Sequence, residues 1–172
     1  MALTYQNLDE TTRGYMLGEF EMDAGEGLLF LSSRLTGAGR RRFPELLAEA
    51  IRRYDDRWLA AQLIESLLMS GLAPQGHYRI DSRAPENLAE DEFNRYYMRG
   101  LCARAQAEGD RPVEVYRGRV VAALRPAILK QIGQRQAPGA MLSALHLAHR
   151  TDPGTSSPFG ANAGLSIRLA TG

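Results

Sequence analysis

The side chains best suited to chemistry in this chain are its arginines, because it contains twenty of them and a single lysine, Lys130. A guanidinium group is a planar fork of donors that binds phosphates and carboxylates and stacks on aromatic rings. An arginine surface therefore suits nucleic-acid contact or protein–protein assembly. The codon bias of a GC-rich genome explains the total without any function, so a functional signal has to come from the clustering.

The densest cluster lies within residues 93–104, where Arg95 and Arg99 stand one turn apart on a predicted helix. Like charges at this spacing repel, so something must compensate them. Asp91 and Glu92, one turn earlier, do so in one interpretation, and an external phosphate or partner carboxylate does so in the other. Tyr96 is expected either to stack on a base or a partner arginine, or to lie at the core edge with a solvated hydroxyl.

A second cluster follows a predicted strand and contains Tyr116, Arg117 and Arg119. If this strand packs beside the helix that carries Arg95 and Arg99, the two clusters form one surface of arginine and tyrosine. Such a surface is typical of phosphate-backbone binding and equally of protein interfaces. We therefore predict that it binds a phosphate or a partner carboxylate, with Tyr116 as a stacking residue.

A third cluster, Arg40, Arg41 and Arg42, is expected in a glycine-flanked loop. It is predicted to bind phosphates or an acidic partner. The alternative is a solvated loop that Glu45 and Glu49 balance.

Catalytic and metal-binding patterns are weak by comparison. His146 and His149 are three residues apart on a predicted helix, but the nearest acid, Asp152, falls in the predicted arm, so no metal site is expected. Cys102 has no neighbouring histidine and is interpreted as a small buried apolar residue. We predict no catalytic residue and no cofactor, and an enzyme that uses the two histidines is the third alternative.

The totals indicate an ordinary soluble protein without a membrane partner. The chain has 172 residues, 44% hydrophobic and 24% charged, with a formal net charge of +1, so any electrostatic footprint is local. One cysteine forms no intrachain disulfide, and neither a signal peptide nor an apolar run of membrane-spanning length is apparent. These features predict a location in the cytoplasm or in a virion.

The apolar spacing predicts a mainly α-helical α+β fold with a few short strands. We expect residues 1–150 to form one globular domain and residues 151–172 to form an extended arm rich in glycine, proline and serine, lying over its own domain or a neighbouring subunit. The predicted helices cover 8–22 with Asp9 as N-cap, a segment from Pro44 to Tyr54, a segment from Asp55 or Asp56 to about Gly71, 86–108, and two more that open at Pro126 and Pro138. The predicted strands are 28–31, 78–80, 113–116 and 165–169.

The succession Phe93 to Leu101, then Val115-Tyr116-Arg117, then Phe159-Gly160 and Gly164 to Arg168 resembles a group of uncharacterised bacterial and phage-borne proteins. The resemblance covers about the C-terminal half and implies a phage or prophage setting, among particle-building proteins. It carries over no site residue.

Taken together, these patterns predict a non-enzymatic structural or assembly protein. Its arginine and tyrosine face and its arm would bind other subunits in a homo- or hetero-oligomer, as in a phage-type particle. The alternative is a nucleic-acid-binding protein that uses the same arginines on phosphates.

Overall fold

The computed structural model describes residues 3–66, 68–70, 83–121, 126–152 and 163–171, which form six helices and a three-stranded antiparallel sheet. The mainly helical α+β architecture is thereby confirmed, whereas the predicted strand at 78–80 lies outside the described residues. The helices are α1 (Glu10–Glu26), α2 (Gly37–Arg53), α3 (Asp56–Glu65), α4 (Ala84–Ala107), α5 (Pro126–Leu129) and α6 (Pro138–Thr151). The strands are β1 (Val113–Arg117), β2 (Arg135–Gln136) and β3 (Leu165–Leu169), in the sheet order β2-β1-β3.

Helix α4 is the central element of the fold, and it packs against α1, α3, α6 and β3. Every residue from Glu92 to Cys102 is buried, so the helix is covered all round although many of its side chains are polar. Gly100 permits the close approach of α1, because a Cβ at this position would lie 2.5 Å from the backbone nitrogen of Met16. The arginine cluster predicted as a surface is therefore carried by the core helix.

Helix α2 begins seven residues earlier than predicted, at Gly37 instead of Pro44. Thr36 caps it, since its Oγ1 accepts a hydrogen bond from the Gly39 N–H at 3.0 Å and donates one to the Leu68 carbonyl. Gly39 packs so tightly that a Cβ would lie 2.0 Å from the Leu68 oxygen. The prediction of a loop at 40–42 is therefore wrong. Glycines such as Gly37 and Gly39 disfavour a helix by propensity, but the contact with the Leu68 carbonyl stabilises the helical turn.

The end of α1 also differs from the prediction. The helix was predicted to end at residue 22 but continues to Glu26, and Gly27 ends it with a left-handed backbone (φ 69°). The Leu28 N–H then donates to the Asp23 carbonyl at 2.8 Å, which closes the helix end. The prediction of a strand at residues 28–31 is wrong, since these residues form no strand, and Leu29, Phe30 and Leu31 pack against the core.

The C-terminal strand was predicted correctly, and it lies at the end of the segment predicted as an arm. Strand β3 pairs with β1 along five residues, from Val113 opposite Leu169 to Arg117 opposite Leu165. The alternating residues Leu165, Ile167 and Leu169 are all buried in the core. Residues 163–171 therefore lie on their own domain as part of its sheet, and residues 153–162 of the predicted arm lie outside the described part.

The N-terminal segment before α1 is fixed to the same sheet. The Thr4 N–H donates to the Gly118 carbonyl at 3.1 Å, next to the end of β1. Asn7 connects this segment to β3, because its Oδ1 accepts a hydrogen bond from the Leu169 N–H at 2.9 Å. Two asparagine side chains thus bond backbone groups on the edge of β3 that faces away from β1. Asn7 accepts from the Leu169 N–H, and Asn94 Nδ2 donates to the Leu165 carbonyl.

Candidate functional site

Arg99 does not face an external anion. Its side chain is 1% exposed and binds two carboxylates of α1: Nε donates to Glu19 Oε2 at 2.8 Å, and Nη1 and Nη2 donate to the two Asp23 oxygens at 2.7 and 3.0 Å. Both interpretations made from the sequence are therefore wrong for Arg99. Its charge is compensated by another helix, and neither by α4 nor by a partner.

Arg95 follows the intrahelical interpretation, but in the core and not at the surface. Its Nη1 donates to Glu92 Oε2 at 2.8 Å, and both side chains are 2% exposed. The guanidinium also lies 5.8 Å from the centroid of the Phe30 ring. Burial raises the pKa of Glu92 to about 7, against the attraction of Arg95. A phosphate from solvent has no access to this pair.

The two predicted stacking residues are also buried. The Tyr96 hydroxyl donates to Asp23 Oδ2 at 2.9 Å, and burial and the Asp23 charge raise its pKa far above the usual range. The Tyr116 hydroxyl donates to the Thr4 carbonyl and accepts from the Gln6 N–H at 3.3 Å. The prediction that Tyr96 and Tyr116 stack on a ligand is wrong for this conformation, because their rings help to fill the domain interior.

Arg117 and Arg119 differ from each other. Arg119 is buried and grips Glu90 of α4 with two hydrogen bonds, from Nε at 3.0 Å and from Nη2 at 2.7 Å. Arg117 is exposed, and its Nη2 donates to the Val121 carbonyl at 2.9 Å. The predicted arginine surface of the C-terminal half therefore keeps only Arg117 among its four proposed binding residues.

The two histidines of α6 join the buried network of Arg99. His146 Nε2 lies 2.7 Å from Glu19 Oε2, and His149 Nε2 donates to the Leu28 carbonyl at 2.7 Å. Burial lowers the pKa of His149, and the nearby Arg95 charge adds to this effect. Within the described ranges, no group of three histidine, cysteine or acidic side chains is placed to hold a metal ion. The network connects α1, α4 and α6, and both histidines take part in it through Nε2.

Arg40, Arg41 and Arg42, by contrast, are exposed, on the first two turns of α2. The first turn of this helix contains no acidic residue, so these cations lie near a positive helix end that disfavours them. In the described part of the chain, none of the three forms an ion pair. They belong to a larger set in which no member has an ion pair with a described residue: Arg34, Arg40, Arg41, Arg42, Arg52, Arg53 and Arg57.

An aromatic pair lies at the junction of α2 and α3. Tyr54 and Trp58 are stacked, with ring centroids 4.4 Å apart and planes 12° from parallel, and Tyr54 is 40% exposed. The Arg13 guanidinium fixes this corner, because it donates to the carbonyls of Ala50, Ile51 and Tyr54 at 3.1, 2.7 and 2.8 Å. We call the seven unpaired arginines and the Tyr54–Trp58 pair the α2–α3 surface.

A cavity of about 510 Å³ adjoins this surface between α1 and α2. Phe20, Leu29 and Ala48 form apolar parts of its lining, and Arg52 and Arg53 lie at its edge. The cavity places apolar surface beside the guanidinium groups of Arg52 and Arg53, a combination that protein interfaces favour. The sequence indicated Arg40, Arg41 and Arg42 but not Tyr54, Trp58 and Arg57, whose proximity depends on the turn between the two helices.

Comparison of the chain with known protein families, characterised proteins and solved structures finds no match. Among the helices of the described ranges, none has the length and apolar character that a bilayer crossing needs.

Proposed function

We propose that the protein is a non-enzymatic component of a larger assembly, of the phage-particle type that its sequence resemblance suggests, and that the α2–α3 surface is its contact with other subunits. One observation carries the proposal: the arginines of this surface lack ion pairs, whereas Arg95, Arg99 and Arg119 are each matched to an acid in the core. A partner that supplies carboxylates would complete the pairing.

The energetics of the exposed arginines favour such a contact. A cation in the first turn of a helix is disfavoured by the helix dipole by about 0.3–1 kcal/mol. An anion that neutralises Arg40, the fourth residue of α2, relieves this unfavourable interaction in addition to the direct pairing. Arginine, tyrosine and tryptophan are the residues that most often dominate the binding energy of interfaces. Arg53, Arg57 and the Tyr54–Trp58 pair supply all three at one corner of the fold.

The charge distribution supports a second copy of the chain as partner. Residues 34–57 contain seven arginines and four acids, a formal charge of +3, whereas the whole chain carries +1. The rest of the chain is therefore net negative. Surfaces of opposite sign on one molecule favour head-to-tail contacts between copies, which generate rings or extended assemblies.

Light scattering coupled to size exclusion tests this proposal over a range of protein concentrations and salt. We expect self-association that weakens as salt rises and that Arg52→Gln/Arg53→Gln/Arg57→Gln abolishes. The matched control is Arg117→Gln/Arg135→Gln/Arg150→Gln, which removes the same charge from exposed sites outside the surface and should still associate. A strict monomer at the highest concentration, or equal association of both triple variants, would contradict the proposal.

Nucleic-acid binding is the second candidate, and Arg40, Arg41 and Arg42 at the positive end of α2 favour it. A helix N-terminus with three adjacent guanidinium groups suits phosphate. A gel-shift titration tests it, because the logarithm of affinity should fall linearly with that of salt, by about 0.7–0.9 per phosphate contacted. Arg40→Gln/Arg41→Gln/Arg42→Gln should reduce this slope by about 2–3, and absence of retardation at low salt would remove the candidate.

A further inference from the structure

A second cavity, of about 440 Å³, lies between α3 and the first turns of α4. Two acids that the rest of the chain buries, Asp56 and Glu90, line it. Ala60, Ala61 and Ile64 of α3 supply an apolar wall. Its size lies within the range of small-molecule sites. The rest of its lining is charged or polar, and consists of Asp56, Arg57, Arg83, Glu86, Asn87 and Glu90.

Asp56 is the unusual member of this cavity. The residue is 4% exposed, and its Oδ1 has no hydrogen-bond partner within the described residues. Asp56 does not serve as the helix cap, because Asp55 Oδ1 accepts the Trp58 N–H at 3.0 Å. Glu90 differs, since Arg119 neutralises it through two hydrogen bonds. Asp56 is therefore a buried carboxylate at the cavity wall with one oxygen that accepts no hydrogen bond, and the nearby Arg57 charge acts on it without donating to this oxygen.

The surroundings of Asp56 attract positive charge. Burial raises its pKa to about 6, and the charges of Asp55 and Glu90 add to the effect. A proton is the smallest cation that relieves this situation, and a larger cation with an N–H donor relieves it in the same way. Arg57 and Arg83 also line the cavity, but both are exposed, so solvent screens their charges more than it screens the buried carboxylate.

We propose that this cavity binds an organic cation, an alkylammonium or guanidinium group that donates to Asp56 Oδ1 while its carbon chain packs on Ala60, Ala61 and Ile64. A metal ion fits less well, because calcium and magnesium need several oxygen ligands and the described residues contain no group of three candidate ligand side chains. The cation is either a free amine or the side chain of a lysine or arginine in a partner segment.

Heteronuclear NMR titration of the full chain tests the proposal and separates the two sources. The probes are n-butylammonium, the capped peptide acetyl-Ala-Lys-Ala-amide, and n-butanol as an uncharged control of similar shape. We expect shifts at α3 and the start of α4, saturating with a Kd of about 1–10 mM for the ammonium probes. Tighter binding of n-butylammonium indicates a free amine, and tighter binding of the peptide indicates a partner side chain.

Variants and pH provide the decisive comparison. Asp56→Asn should weaken ammonium binding at least about tenfold, and Glu65→Gln, which removes an acid from the same helix outside the cavity, should leave it unchanged. Ala61→Leu narrows the cavity without changing charge and should also weaken binding, so the test does not depend on one variant. The wild-type affinity should fall as pH drops through about 6, because protons compete for Asp56.

Equal affinity for n-butylammonium and n-butanol would overturn the proposal, as would an unchanged affinity of Asp56→Asn or a lack of saturation by both ammonium probes. None of these results bears on self-association, which the Asp56→Asn variant should retain. The proposal therefore fails or stands separately from the assembly function.

Discussion

Replacement of Arg99 by methionine should be among the most destabilising changes in the chain. The guanidinium makes three charge-assisted hydrogen bonds to Glu19 and Asp23, and it is 1% exposed. Methionine has a similar length but no donor, so both carboxylates would stay in the interior without their cation. Loss of one partner of a buried ion pair costs about 3–5 kcal/mol, a large part of the stability of a typical domain.

A double variant separates the missing cation from the missing packing. Arg99→Met/Asp23→Asn leaves less uncompensated charge than Arg99→Met alone, because His146 still accompanies Glu19. We expect the double variant to recover about 1–2 kcal/mol although it carries one more substitution. The reasoning would be contradicted if the stability loss of the double variant equalled the sum of the losses of Arg99→Met and Asp23→Asn, since that would mean that Arg99 and Asp23 do not interact.

Urea unfolding followed by circular dichroism gives the free energies of unfolding for this comparison. Arg42→Met is the matched control, because Arg42 is exposed and has no ion pair with a described residue. It should change the stability by no more than about 0.5 kcal/mol. A loss below about 1 kcal/mol for Arg99→Met, similar to the control, would refute the assignment of the buried network as a main source of stability.

Three further predictions concern stability and the surface. Burial raises the pKa of Asp56 from 3.8 to about 6, so the folded state binds a proton more tightly than the unfolded chain does. The stability that this proton provides is lost as pH rises through 6. Urea titrations should therefore show Asp56→Asn to be more stable than wild type by about 2–3 kcal/mol at pH 7.5 but not at pH 3.5. Gly100→Ala should lower the melting temperature, since its Cβ would overlap the α1 backbone, whereas Gly18→Ala, with open space around it, should gain about 0.5–1 kcal/mol. Trp58→Ala should weaken self-association in light scattering by about tenfold or more if the stacked pair anchors the contact, and an unchanged association would exclude that role.

Local signals were enough to predict most of the helical framework. Asp9 caps α1 as expected, Pro138 opens α6, and the alternation of 113–116 and 165–169 marks two strands that pair. These features depend on residues close in sequence. The start of α2 could not be predicted in this way, because the segment of Thr36 and Gly39 becomes helical through its contact with the Leu68 carbonyl, thirty residues away.

The arginines show most clearly what sequence spacing leaves open. Arg95 and Arg99 have the pattern of an exposed charged helix face. In the structure both are buried, Arg95 paired with Glu92 of its own helix and Arg99 with Glu19 and Asp23 of α1. One signal was available: Met16, Phe20 and the two acids recur on α1 at the spacing of a buried stripe, and acids on such a stripe need buried cations. Which arginines they would find depends on how α1 crosses α4, and that crossing follows from the lack of a side chain at Gly100.

The hydrogen bond between Asn7 and Leu169 constrains the order in which this domain can fold during synthesis. During translation the four helices α1 to α4 and strand β1 leave the ribosome before residues 165–169. Until then, the edge of β1 that pairs with β3 has no partner. Neither Asn7 nor the edge of β1 that pairs with β3 has its final partner until residues 165–169 have been synthesised. A chain that lacks residues 165–169 consequently exposes the unpaired backbone groups of one edge of β1, which is a site for strand pairing between molecules.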